Sequence, residues 1–337
     1  MLSEKSTNKQ RLYILDPLRL VAAFAVVFYH YLPFVKNTSL GAFLAPFKFG
    51  YLGVIFFFML SGFVIMASCQ NRSAFQFALA RALRIYPAFI ACLFLTVIIL
   101  YLCAGITLPP LQIISNALIV NDYIGQPNID GVYWTLQAEL KFYACIFILS
   151  LCGLIKYWRV WLSVWLLAAI SHHFLNQPFF LGWFIRPAYS FYFIGGVSAY
   201  LLSKEQDNKF ALLLFFVALA FSCLKSFYQT SGFVESANLL DSIVAASVVL
   251  VFFVFFFFLA MGKIQTPKKS YWILMGAISY PLYLMHNRAG KTLVNFFNDS
   301  VNIYYAIIFT LLIILLVSLF IHLFVEKVVF RFFNSRQ

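Results

Sequence analysis

Ten apolar runs of 17 to 23 residues follow one another between positions 12 and 325, and no polar block between them is long enough to fold as a soluble domain. A helix needs about 20 apolar residues to cross a hydrocarbon core about 30 Å thick. The runs cover 12–33, 50–68, 86–104, 133–153, 158–174, 184–203, 208–224, 239–261, 271–289 and 303–325. Their succession predicts an all-α, polytopic membrane helix bundle of about ten transmembrane helices, a single transmembrane domain over 1–337. Composition agrees, because 63% of residues are hydrophobic and only 10% are charged, too few to cover a soluble surface. The weakest run is 271–289, where "YWILMGAISYPLYLMHN" is interrupted by Pro281 and several polar residues.

A net charge of +13 invites a nucleic-acid reading, yet the basic residues are scattered one to three at a time between apolar runs. Scatter of that kind is a topology signal and excludes a nucleic-acid partner. With ten spans, the segments on the side of both termini hold 16 basic residues: Lys5, Lys9, Arg11, Arg72, Arg81, Arg84, Lys156, Arg159, Lys204, Lys209, Lys263, Lys268, Lys269, Lys327, Arg331 and Arg336. The opposite side holds 5, namely Lys36, Lys48, Lys225, Arg288 and Lys291. The positive-inside rule then makes the N-terminus and C-terminus cytoplasmic. The first run carries Asp16 and Arg19 and no small-residue cleavage site, so it is not read as a removable signal. The 6 cysteines form no CxxC or Cys/His spacing, which predicts buried free thiols and no metal site. Sequons at Asn37, Asn71 and Asn298 occur at chance frequency and carry no argument.

Polar groups inside the spans are costly and mark function. Arg19 and His30 are eleven residues apart in "LRLVAAFAVVFYHY". At about 100° per residue they share one helix face, about 16 Å apart along the axis. Counted the same way, Glu139 of "YWTLQAELKFY" lies about 9 Å below the start of its span. His286 ends the ninth run and Arg186 opens the sixth. His30, Glu139, His286 and Arg186 therefore map to the outer leaflet, and Arg19, Arg81, Arg84 and Glu326 to the inner side. A carboxylate and an imidazole at one depth are expected partners. His322 and Glu326 read as an i, i+4 structural pair, and His172 and His173 as loop residues.

Six motifs in order resemble the acyltransferase 3 family of membrane proteins. "LDPLRLVAAFAVVFYH" resembles its first helix, with an arginine and a histidine eleven residues later. "GVIFFFMLSGFVI" resembles the second-helix segment, with Ile55 where an acid is usual. "RALRIYP" fits its RxxR motif, and "YWTLQAELKFY" its Trp-Ser-Leu…Glu-Glu segment, with Glu139 kept and Leu140 in place of the second acid. "SYPLYLMHN" and "VEKVVFRFF" resemble the later Ser-Tyr-x-x-Tyr-Leu-x-His and Glu-Lys segments.

The resemblance implies transfer of an acyl group, commonly acetyl from acetyl-CoA, to a hydroxyl of a carbohydrate or lipid-linked glycan. It implies the stand-alone membrane form, in a bacterial inner membrane among membrane lipids, with no bound cofactor and acyl-CoA as donor substrate. Arg81 and Arg84, one turn apart, would meet the CoA phosphates, and the pantetheine arm would run past Arg19. His30 would act as general base with Glu139 holding its tautomer. Arg186, Tyr133, Trp134 and Tyr283 are unranked candidates for an oxyanion donor, with His286 nearby. An acyl-His30 intermediate is the alternative chemistry. A polytopic transporter or flippase for a glycan or lipid is the rival from another class.

Overall fold

The computed structural model describes residues 12–334 apart from 71 and 266. The topology charges Lys5, Lys9, Arg11 and Arg336 and the sequon asparagine Asn71 lie outside the described residues. Among the described residues every regular element is a helix. The chain opens with α1 (Leu15–Val35), the short α2 (Ser39–Leu44), α3 (Gly53–Cys69) and α4 (Ala74–Ala104). Then come α5 (Pro110–Ala117), α6 (Tyr133–Leu151), α7 (Trp158–Leu175), α8 (Leu181–Phe184) and α9 (Ser190–Lys204). The remainder is α10 (Lys209–Gln229), α11 (Leu239–Ala260), α12 (Ser270–Met285), α13 (Arg288–Asn298), α14 (Ile303–Phe320) and α15 (Lys327–Asn334).

Each of the ten expected segments contains a helix, but among the described residues six stretches are long and apolar enough to cross a membrane. A seventh counts if α6 and the 155–175 stretch containing α7, which meet at 115°, form one broken span. The remaining expected spans fall short. α9 and α12 have 15 and 16 residues, which is about 22–24 Å of helix against a core of about 30 Å. The helix ends have local causes. A Ser73/Gln76 capping box starts α4 and Gly105, at φ +64°, stops it. A second box of Asn238 and Asp241 starts α11.

Two apolar clusters form the core. One is centred on α3, α9, α10 and α11, the other on α1, α4, α12 and α14. α3 and α9 approach backbone to backbone, because a Cβ on Gly62 would overlap the Phe193 carbonyl and one on Gly196 the Met59 carbonyl. Close glycine-lined crossings are how helices gain dispersion contact where lipid offers no hydrophobic drive. All six cysteines are free thiols.

The start of α6 is covered by protein: Ile129, Asp130, Val132 and Tyr133 are all buried. The separation expected between Glu139 and the three inner arginines does not hold, because Glu139, Arg19, Arg81 and Arg84 line one cavity.

Candidate active site

Two cavities lie along the face of α1 that carries Arg19 and His30. The larger, of about 140 Å³, is lined by Arg19, Arg81, Arg84 and Glu139, with Ser61 and Tyr143. Its lining thus places three guanidiniums beside one carboxylate. Arg19 is steadied one turn after Asp16, Nη1 to Oδ1 2.9 Å. Arg81 Nη2 donates to Ser68 Oγ at 3.2 Å, and its Nε is buried without a partner, a donor left for a ligand. Arg84 Nη1 lies 3.5 Å from Glu326 Oε1. A π-helical turn, Ile321–Glu326, buries that carboxylate, and His322 Nδ1 meets its other oxygen at 2.7 Å. Such turns often mark functional positions in helices. Glu139 accepts a hydrogen bond from the Ser61 hydroxyl.

The smaller cavity, of about 90 Å³, holds His30 among Tyr29, Trp134, Tyr189 and Tyr283. Its tautomer follows from its neighbours. His286 Nδ1 lies 2.7 Å from the Tyr283 carbonyl, which can only accept, so that nitrogen carries a proton. In the neutral ring Nε2 of His286 is then an acceptor. His30 Nδ1 lies 3.0 Å from it and 3.0 Å from the Val26 carbonyl, so His30 Nδ1 is the donor to both. The lone pair of His30 is left on Nε2.

His286 owes its place to a carboxylate from a distant loop. α12 ends at Met285, and α13 restarts at Arg288. Asp130, fully buried, accepts from the Arg288 amide at 2.6 Å and from Asn287 Nδ2 at 2.9 Å. It thus caps the N-terminus of α13 from outside that helix and fixes the break next to His286.

Val54 and Tyr283 line both cavities. They form the wall between the cationic space and the histidine. The Tyr283 hydroxyl donates to Thr135 Oγ1 at 3.2 Å.

Residues 12–323 match the family described as an acyltransferase domain, acyltransferase 3. The chain belongs to this family. A similar relative is Nodulation protein 10 of Rhizobium leguminosarum bv. viciae, 29% identical over 169 residues. That match covers 43% of this chain and 45% of the relative, so less than half of the relative's length is spanned. No solved structure matches.

In this family member, Arg19, Arg81 and Arg84 come together as the sequence suggested, and His286 does meet His30. The expected His30–Glu139 pair does not form. Glu139 belongs to the arginine cavity, where Ser61 of α3 donates to it, and His30 to the other. Arg186 is also displaced, lining neither cavity; it pairs with Asp122 at 3.0 Å and Gln137 at 3.4 Å. Its place in extended backbone just before the 3-10 turn Pro187–Tyr189, rather than at the head of a span, turns it to the 121–124 segment. Tyr133 lines neither cavity and packs edge-on against Phe89 at 5.1 Å. Trp134, the next residue, does line the histidine cavity. Asp130, Ser61 and Tyr143 went unnoticed. Asp130 had a signal, being one of two acids in the 105–132 loop, and Ser61 another, a hydroxyl inside an apolar run.

Proposed function

We propose that this integral membrane acyltransferase moves an acetyl group from cytosolic acetyl-CoA to a hydroxyl of an extracytoplasmic or lipid-linked carbohydrate. The observation that carries the reading is the shared wall of Val54 and Tyr283 between a cationic cavity and a histidine with a free lone pair. The arginine end faces the cytosol, as the distribution of basic residues argues, and the membrane is a bacterial inner membrane. No cofactor is bound in the reaction; the acyl-CoA is a substrate.

Arg81 and Arg84 take the nucleotide phosphates, and Arg19 with Glu139 lines the path of the pantetheine arm. The thioester carbonyl stops beside Tyr283. His30 Nε2 removes the proton of the acceptor hydroxyl, and the oxygen attacks the carbonyl carbon. The tetrahedral oxyanion is met by the Tyr283 hydroxyl, swung from Thr135. The C–S bond then breaks, and the imidazolium returns the proton to the thiolate, giving the ester and free CoA. His286 holds His30 in the reactive tautomer, the task an acid performs in hydrolase triads. Direct transfer suits this arrangement, since one lone pair serves one proton.

The test is His30→Ala in membranes given labelled acetyl-CoA. Transfer to glycan falls about 1000-fold, within the span of a lost general base, while CoA binding stays within about threefold. Wild-type turnover in the variant sinks the reading, and so does glycan movement that needs no acetyl-CoA, the behaviour of a transporter.

A further inference from the structure

α10 contributes a hydroxyl that the reaction just described does not use. Ser226 is buried to 3% exposure, its Oγ has no hydrogen-bond partner, and it lines the histidine cavity. Three other mid-helix serines satisfy themselves on the carbonyl four residues back. Ser163, Ser247 and Ser318 do so at 2.6, 2.8 and 2.7 Å. Ser198, Ser222 and Thr310 are also buried without partners, but they line neither of the two cavities. A buried hydroxyl left open costs free energy unless something arrives to pair it.

Around Ser226 the chemistry is of one kind. Gln229, one turn on, lines the same cavity. Trp134 and Tyr189 meet at 4.8 Å, and Tyr51 stacks on Phe233 at 4.5 Å with an interplanar angle of 8°. The lining holds no lysine, arginine or carboxylate, so a charged ligand would be desolvated there without a counter-ion. Aromatic walls with a few neutral hydrogen-bonding groups suit a ring that is apolar on its faces and hydroxylated at its edge.

We infer that Ser226 and Gln229 form an acceptor subsite that selects an uncharged, hydroxyl-bearing sugar ring, reading a hydroxyl other than the one acylated at His30. The inference rests on the acyl-transfer reading. A site built to bond a hydroxyl discriminates strongly against ligands that lack it, so these two residues set which ring is presented and in what register.

The experiment uses the full-length protein, labelled acetyl-CoA and glycan extracted from the cells that make it. Ser226→Ala raises the glycan concentration for half-maximal transfer about tenfold and leaves the KM for acetyl-CoA unchanged; Ser226→Thr keeps the hydroxyl and most of the affinity. Gln229→Ala, on a half-buried position, gives the same split if Ser226→Ala folds poorly. Mass spectrometry of the product places the acetyl ester on a glycan whose modified ring is neutral. Normal glycan dependence in both alanine variants overturns the subsite while leaving acyl transfer intact. So does an ester found on an anionic ring or a lipid hydroxyl. Absence of any transfer by the wild-type protein overturns both readings.

Discussion

The two cavities share α1, α3, α6 and α12 and two wall residues, yet their chemistry is opposite. The arginine cavity is dense in charge: Arg19, Arg81, Arg84 and Glu139 line it, and Asp16 and Glu326 brace it from its edge. The histidine cavity has none of this, and every polar contact to His30 is with a neutral group. Ions inside a membrane bundle persist only when paired or lining a polar space, so the first cavity is suited to a polyanion. The second surrounds its imidazole with neutral groups and aromatic rings. On the proposed reading, one helix face carries a binding end and a chemical end, and the division of labour is spatial.

That comparison is broken most forcefully at the arginines. Replacing Arg81 and Arg84 together with Ala removes two charge-assisted phosphate contacts, so the KM for acetyl-CoA rises on the order of 100-fold. The KM for the glycan stays put, as initial rates at varied acceptor will report. If both constants rise together, the arginines brace the fold instead. At the wall, Tyr283→Phe deletes the hydroxyl assigned to the oxyanion. Here kcat drops about 100-fold with both KM values unchanged; an unchanged kcat removes Tyr283 from the chemistry.

On the histidine side, His286→Asn loosens the tautomer of His30. A roughly tenfold loss of kcat is expected, with donor binding intact, and Asp130→Asn should follow it because Asp130 fixes the adjacent helix break. A loss in donor binding by either variant would erase the boundary between the two ends. The smallest effect lies outside both cavities. Lys36 and Glu235 pair at 2.7 Å on the surface, 58% and 79% exposed. The lysine holds the Glu235 carboxyl below its ordinary range by a hydrogen bond and by charge. Its contribution to stability is present at neutral pH and is lost as pH falls through that lowered value. Exposed pairs contribute little, so Lys36→Ala moves Tm by no more than about 1 °C and leaves both kinetic ends alone.

Much of this was legible in the sequence. Apolar run length fixed the helical class, because lipid leaves each backbone group no partner but its own helix. The eleven-residue spacing fixed Arg19 and His30 on one face, since helical geometry is local. What depended on depth failed. The start of α6 at Tyr133 was read correctly, but Glu139 shares a cavity with Arg19, Arg81 and Arg84, which the count had put at the opposite end. Pairing across elements failed likewise: nothing local links Asp130 to Arg288, 158 positions apart. Arg186 shows a third cause. Helix α8 ends just before it and Pro187 follows, so the span expected to begin at 184 begins at Ser190 instead.

The passage between the two ends is most directly tested at Val54, which lines both cavities. In Val54→Trp, isothermal titration should find acetyl-CoA bound within about threefold of wild type, while transfer to glycan in the same preparation falls more than about 100-fold. Full transfer through a wall closed by the indole would contradict the account, because the thioester would then be reaching His30 by some other route.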